Sequence, residues 1–183
     1  MSQIAIVYHS GFGHTKVVAE AVRAGAESVP DTQVSLFPVE EVESHWTDLE
    51  AADAIVFGSP TYMGNVSGPF KMFMDASSKA WYERKWQDKL AAGFTISGSP
   101  SGDKLSTLQS LTTFALQHGM IWVGLTDLPQ NAEGTNRLGS FTGVMAQAGQ
   151  VPPEVEPNEA DRSGAARLGQ RVATATARWA KGS

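Results

Sequence analysis

No cysteine occurs in the 183 residues, which removes thiol nucleophiles, disulfides and iron–sulfur ligation from the chemistry open to this chain. Charge of either sign is scarce. Fourteen Lys and Arg stand against nineteen Asp and Glu, a net charge of −5. No basic stripe accompanies them, so nucleic acid is not an expected partner. The four histidines, His9, His14, His45 and His118, lack the spacing of metal ligands, and no metal site is expected. No apolar run approaches membrane-spanning length, and the start carries no charged-then-apolar leader. A soluble, cytoplasmic protein is therefore the expectation. What remains is a chain with 42 % hydrophobic residues, enough to bury a core in one domain spanning residues 1–183.

The most informative stretch is Ser10-Gly11-Phe12-Gly13-His14-Thr15. Before it runs Ile4-Ala5-Ile6-Val7-Tyr8, which reads as a buried parallel strand. After it, Val18, Ala21, Val22 and Gly25 are spaced to face a sheet from a helix. A strand turning through glycines into a helix aims free N–H groups and the positive dipole end at one point, which suits a phosphate. Gly11 and Gly13 permit positive φ and close approach, and Ser10 and Thr15 can add hydroxyl donors. Lys16 stands where a dinucleotide fingerprint needs its third glycine, and no Walker sequence closes the loop. A terminal monoester phosphate fits better. The competing reading is a plain βα turn whose Ser and Thr only cap the helix.

Along the chain, strand and helix signals alternate without internal repeats. Strands are expected near 33–39, at 54–59, at 90–97 and at 121–125. Helices are expected around Val42, Trp46 and Leu49, over 67–78 with Phe70, Phe73 and Met74 inward, and over about 103–118. That last helix would bury Leu105, Leu108, Leu111, Thr112 and Ala115. After a polar excursion at 126–140, residues 141–146 can resume at the sheet edge. Asn158 is placed to cap a final helix with Ala165, Leu168, Val172, Ala175 and Trp179 along its buried stripe. Such alternation means an α/β fold, a parallel sheet covered by helices on both faces.

Ligands of such sheets bind beyond the carboxyl ends of the strands, where strand order reverses. Two further loops there are unusual: Gly58-Ser59-Pro60-Thr61-Tyr62-Met63-Gly64-Asn65 and Ser97-Gly98-Ser99-Pro100-Ser101-Gly102-Asp103. Both are rich in glycine, proline and hydroxyls. A flat heteroaromatic ring could lie against Tyr62 and Met63 while loop amides bond its polar edge.

Three stretches, SGFGHT (10–15), GSPTYMGNVSGPFKMFMD (58–75) and GFTISGSPSGDKLSTL with LQHGMIWVG (93–108 and 116–124), make the chain resemble the flavodoxin-like superfamily, and within it the WrbA-type NAD(P)H:quinone oxidoreductases. The resemblance implies a flavodoxin-like, doubly wound, five-stranded parallel sheet of order 2-1-3-4-5, non-covalent FMN, and a homo-oligomer, dimer or tetramer. It implies that Ser10, Gly11, Phe12, Gly13, His14 and Thr15 hold the FMN phosphate. Pro60, Thr61, Tyr62, Met63, Gly64 and Asn65 would border the ring, with Thr61 to Met63 closest. Ile96, Ser97, Gly98, Ser99, Pro100 and Ser101 would supply amides along its other edge. His118 matches a family histidine near the flavin. Phe12 stands where the family often has a tyrosine near the nicotinamide, and Trp81 resembles an aromatic that roofs the site, from a neighbouring subunit in some arrangements.

Three departures stand out: a shorter connection between the second and third strands, a phenylalanine without hydroxyl at position 12, and Pro100 in a loop that is often richer in glycine. The activity implied is transfer of two electrons from NADH or NADPH to a quinone, with the redox chemistry carried by the cofactor. A flavodoxin-type single-electron carrier and an NAD(P)H-dependent FMN reductase are the rival activities of the same fold.

Overall fold

The apolar run that opens the chain forms β1 (Ser2–Tyr8) in the computed structural model, which describes residues 1–181. The glycine loop follows and leads into α1 (His14–Glu27). Next come β2 (Thr32–Pro38), a 3-10 turn (Val42–Ser44), α2 (Trp46–Ala51) and β3 (Ala54–Tyr62). After β4 (Asn65–Val66), α3 (Gly68–Ala76) and α4 (Ser78–Tyr82), the chain enters β5 (Leu90–Ser97) and α5 (Lys104–Gln117). β6 (Ile121–Trp122), β7 (Val144–Gln147) and α6 (Glu159–Lys181) complete it. Among the described residues no helix is long and apolar enough to cross a membrane.

The sheet runs β2-β1-β3-β5-β6, with β4 pairing β3 and β7 pairing β5. Every pairing is parallel except the short β3–β4 hairpin. Set β4 aside, and the parallel order is the expected 2-1-3-4-5. Its last position is shared. β6 pairs the first residues of β5 and β7 pairs its last four, because the 123–143 excursion divides the edge strand. The sheet therefore has seven strands rather than five.

Alternation along the strands makes two cores. Ile4, Ile6 and Tyr8 face α1 and α6, while Ala5 and Val7 face the layer of α2, α3 and α5. Several expectations shift at element ends. The helix expected around 42–49 is broken at His45, whose imidazole leaves the helical path to bond Asp48 at 2.7 Å. The helix expected over 67–78 stops at Ser77, whose Oγ donates to the Met74 carbonyl, and α4 starts afresh. At the head of α5 the roles of neighbours reverse: Leu105 is 49 % exposed, and Lys104 is 0 % exposed. Trp179, expected on the buried stripe of α6, is also exposed. Asn158 caps α6 as expected, its Oδ1 accepting from the Asp161 amide at 3.0 Å.

Two glycines set the distance between α1 and α6. A Cβ on Gly25 would lie 1.9 Å from the Ala166 carbonyl oxygen, and one on Gly169 would lie 1.9 Å from that of Val22. Both obstacles are backbone, so no rotamer change relieves them. Gly169→Ala is expected to push the helices apart and cost about 3 kcal/mol, read as a lowered urea midpoint. Gly68→Ala, where a Cβ meets nothing within 4 Å, is expected to leave the midpoint nearly unchanged.

Candidate functional site

At the carboxyl ends of β1, β3, β5 and β7 lies a cavity of about 500 Å3, a size suited to one small cofactor. It is lined by Phe12, His14 and Thr15 of the first loop, Pro60 and Tyr62 of β3, and Ile96, Ser97 and Gly98 at the end of β5. The remaining wall is Ala148, Gly149, Gln150 and Val151, directly after β7. No carboxylate, lysine or arginine contributes to the lining. A larger hollow of about 670 Å3 runs along β6 and α6, away from these strand ends. Two of its arginines are already engaged: Arg167 pairs with Glu133 and Asp127, and Arg171 Nε donates to the Gly124 carbonyl.

The first loop presents main chain. Gly13 adopts φ +90°, open to glycine at little cost. Ser10 Oγ accepts the Lys16 amide at 3.1 Å, so Ser10 does cap the helix. The amides of Gly11, Phe12, Gly13, His14 and Thr15 nevertheless find no acceptor among the described residues. They stand at the positive end of a 14-residue helix. Capping and anion binding are thus compatible here: the hydroxyl serves one amide, and several others stay open to a ligand. Lys16 is exposed and takes no part.

The second expected loop is mostly strand. β3 continues through Tyr62 and folds back at Met63-Gly64, whose φ values of +48° and +78° mark a type I′ hairpin. Alternation then sends successive side chains to opposite faces. Pro60 and Tyr62 reach the cavity. Thr61 turns inward, its Oγ1 bonded to Thr95 at 2.8 Å and Thr107 at 2.7 Å. Met63 is fully exposed at the tip. Asn65 Oδ1 accepts from the Val66 amide and the Ser110 hydroxyl. Of the three residues expected closest to the ring, only Tyr62 lines the cavity with its side chain. Its ring stands edge-on to Phe12, centroids 6.5 Å apart, and Phe12 itself is 76 % exposed at the mouth. Burial raises the Tyr62 pKa above the ordinary phenol value, so the hydroxyl keeps its proton.

In the third loop Ser97 and Gly98 touch the cavity, while Ser99, Pro100 and Ser101 lie beyond the lining. Ser97 Oγ donates to the Ser99 carbonyl at 3.1 Å, tightening the turn. The amides of Gly98, Ser99, Ser101 and Gly102 find no acceptor among the described residues. The wall from Ala148 to Val151 was not anticipated. His14 Nε2 donates to the Val151 carbonyl at 2.8 Å, and a Cβ on Gly13 would meet Pro153 at 2.6 Å. This segment is thereby fastened onto the first loop. Its Gly-Gln-Val-Pro-Pro sequence, directly after an apolar edge strand, was the available signal.

Two further expected residues, outside the three loops, also do not reach the cavity within one chain. Trp81 is 45 % exposed on α4, and His118 ends α5; neither is on the lining. His118 is 2 % exposed and stacks on Trp86 with centroids 4.2 Å apart. Ser77 Oγ spends its hydrogen on the Met74 carbonyl, so His118 Nε2 must donate to it, at 3.0 Å. Nδ1 is left bare and buried.

Fold and site together define a flavodoxin-like α/β protein, with open main-chain amides in its first loop and an uncharged cavity beside them. A family model described as NADPH-dependent FMN reductase matches residues 13–128. Flavodoxin FldP of Pseudomonas aeruginosa is 43 % identical over 157 residues, covering 81 % of this chain and 82 % of that protein. An NAD(P)H dehydrogenase (quinone) of Archaeoglobus fulgidus is 35 % identical over 195 residues, covering 94 % and 96 %. The crystal structure of a flavodoxin, WrbA-like protein from Agrobacterium tumefaciens superposes with TM-score 0.78 at 42 % identity, over 97 % of this chain and 99 % of that one. The chain belongs to the NADPH-dependent FMN reductase family, in its flavodoxin-like, WrbA-type branch.

FMN is the cofactor that this membership implies, and the residues present fit it. Unpaired amides at the head of α1 suit a phosphate, and apolar Pro60, Tyr62 and Ile96 suit a flat ring.

His118 carries a pH signature. Burial, and secondarily the Arg84 charge, push its pKa from the ordinary 6.5 down to about 4. Below pH 6.5 the unfolded chain binds a proton at this site that the folded chain refuses. Stability therefore falls as pH drops from 6.5 to about 4, by about 3 kcal/mol in full. His118→Phe, which retains a ring against Trp86, is expected to flatten that limb. Urea midpoints at pH 7 and pH 4.5 read the difference.

Proposed function

We propose that this protein is an FMN-dependent oxidoreductase that passes two electrons from NADH or NADPH to a quinone. The overall reaction, NAD(P)H plus a proton plus quinone giving NAD(P)+ plus hydroquinone, balances without any covalent change in the protein. FMN, when bound, supplies the redox chemistry that no side chain of this cysteine-free chain offers. The amides of residues 11–15 would hold its phosphate. Those of 98, 99, 101 and 102 would oppose negative charge along the ring edge, as fixed dipoles do without reorganisation. Thr61, Met63, Gly64 and Asn65 would contribute through hairpin shape and main chain. Pro60, Tyr62, Ile96 and the 148–151 wall would exclude water.

The observation that carries the reading is the exposed Phe12 beside Tyr62 at an uncharged cavity mouth. A second flat ring needs an aromatic border and a large apolar contact more than it needs an acid or a base. Trp81, exposed on α4, would serve the site only from another subunit, which fits a homo-oligomer of cytoplasmic, single-domain chains, whereas His118 is buried and would take no direct part. The exposed Met72, Trp81 and Tyr82 favour such an assembly.

One observation supports a second reading. The 43 % identical relative is named a flavodoxin, a name that suits a carrier of single electrons between proteins. Anaerobic mixing of FMN-loaded protein with NADH or NADPH separates the two. Rapid bleaching of the flavin band followed by benzoquinone turnover is expected, whereas bound FMN that neither nucleotide bleaches would leave the carrier. Phe12→Ala is expected to lower kcat/KM for the nicotinamide about tenfold, with FMN affinity little changed.

A further inference from the structure

An amine lies buried behind the third loop, outside the cavity lining. Lys104 opens α5 yet is completely inaccessible. Its Nζ donates to the Ser99 carbonyl at 2.9 Å and to the Ala146 carbonyl at 3.0 Å. The first belongs to the turn after β5. The second belongs to β7, two residues before Ala148 on the cavity wall. The ammonium therefore sits behind two of the segments that bound the cavity, joining them.

Other charges around it have mostly compensated each other. Asp161 of α6 accepts two 2.8 Å bonds from the Arg137 guanidinium and a 2.9 Å bond from the Gln147 amide. Asp161 and Arg137 both act on Lys104 with opposite sign, and Asp103 adjoins it in the chain. Taken as a set, Lys104, Asp161 and Arg137 carry one positive charge in excess. Desolvation lowers the Lys104 pKa to about 8, so the amine is still protonated at pH 7. A buried ammonium is expensive, and tying two carbonyls together needs only a neutral donor.

The geometry points to Lys104 as a positioning residue: it fixes the 97–102 turn from behind, and its positive charge favours the reduced over the oxidised state of FMN in the adjoining cavity. This rests on the FMN reading of that cavity. Two-electron reduction places negative charge on the ring, and a positive charge behind the wall is better placed against that state. A unit charge acting through one wall of protein changes the preference about tenfold.

Redox titration of FMN-loaded wild type, Lys104→Met and Lys104→Gln against reference dyes tests this. Gln keeps a donor without charge. In both variants the ratio of reduced to oxidised FMN affinity is expected to fall about tenfold, a midpoint about 30 mV lower for two electrons. By linkage, the lysine in the wild type must bind its proton about tenfold more tightly when the flavin is reduced. Side-chain 15N NMR titration in both redox states reads this directly, and it decides the matter alone if the variants do not fold. FMN-loaded variants with the wild-type midpoint, or a lysine titrating identically in both states, overturn the role of the charge. Wild-type protein that takes up no FMN overturns the cavity reading instead.

Discussion

Unpaired main-chain amides at one edge of the sheet are the constraint on which the rest depends. β1, β3, β5 and β7 run parallel, so their turns gather at a common edge. A helix starting there cannot satisfy its first N–H groups internally. Side chains usually do it, and Ser10 does so for Lys16. Four other residues of the loop, Gly11, Phe12, Gly13 and His14, offer no well-placed cap acceptor of that kind, and the adjoining amides remain open. The 97–102 turn repeats the pattern beside β5. Left in a dry site, each unpaired donor would cost about 1–3 kcal/mol. At a water-filled cavity they are solvated, and a ligand with acceptors replaces the water.

Much of this was legible in the residues. The first loop announced itself through its glycines and its position between a strand and a helix, and β5 falls at 90–97 as periodicity indicated. What could not be read was set by contacts distant in sequence. Tyr62 and Thr61 differ in fate because β3 extends past Ser59, and that extension follows from a hairpin with β4. Tyr-Met-Gly-Asn lacks the Asn-Gly or Asp-Gly pair that announces such turns. Lys104 and Leu105 were exchanged for a similar reason. Apolar spacing assigns Leu105 inward, but two inward carbonyls and the Asp161 carboxylate make the preceding position the one that turns in. Polar demand outranked apolar periodicity there.

His118 shows how a resemblance can name a residue without placing it. Its burial against Trp86, Phe114 and Ser77 accounts fully for a histidine at the end of α5 in the isolated chain. It is neutral there and donates through Nε2, so proton donation at pH 7 is not its work within one subunit. Trp81 lies in the helix that begins just after Ser77, the partner of His118. The two residues implicated by resemblance thus belong to one region, joined through the α3–α4 junction and separate from the cavity lining of the same chain.

The divided edge strand ties these observations together. A four-residue strand such as β7 pairs weakly by itself, and its register decides whether residues 148–151 meet the cavity. Asp161 fixes that register by accepting the Gln147 amide while holding Arg137 from the excursion. Lys104 fixes it from the other side through Ala146. Buried charge is a poor source of net stability, because its desolvation offsets most of the attraction. It is a strong source of discrimination, since a slip of one residue would leave an ion in the interior without partners. The charged brace behind β7 is therefore best understood as selecting one pairing for a short strand, and with it the fourth wall of the site.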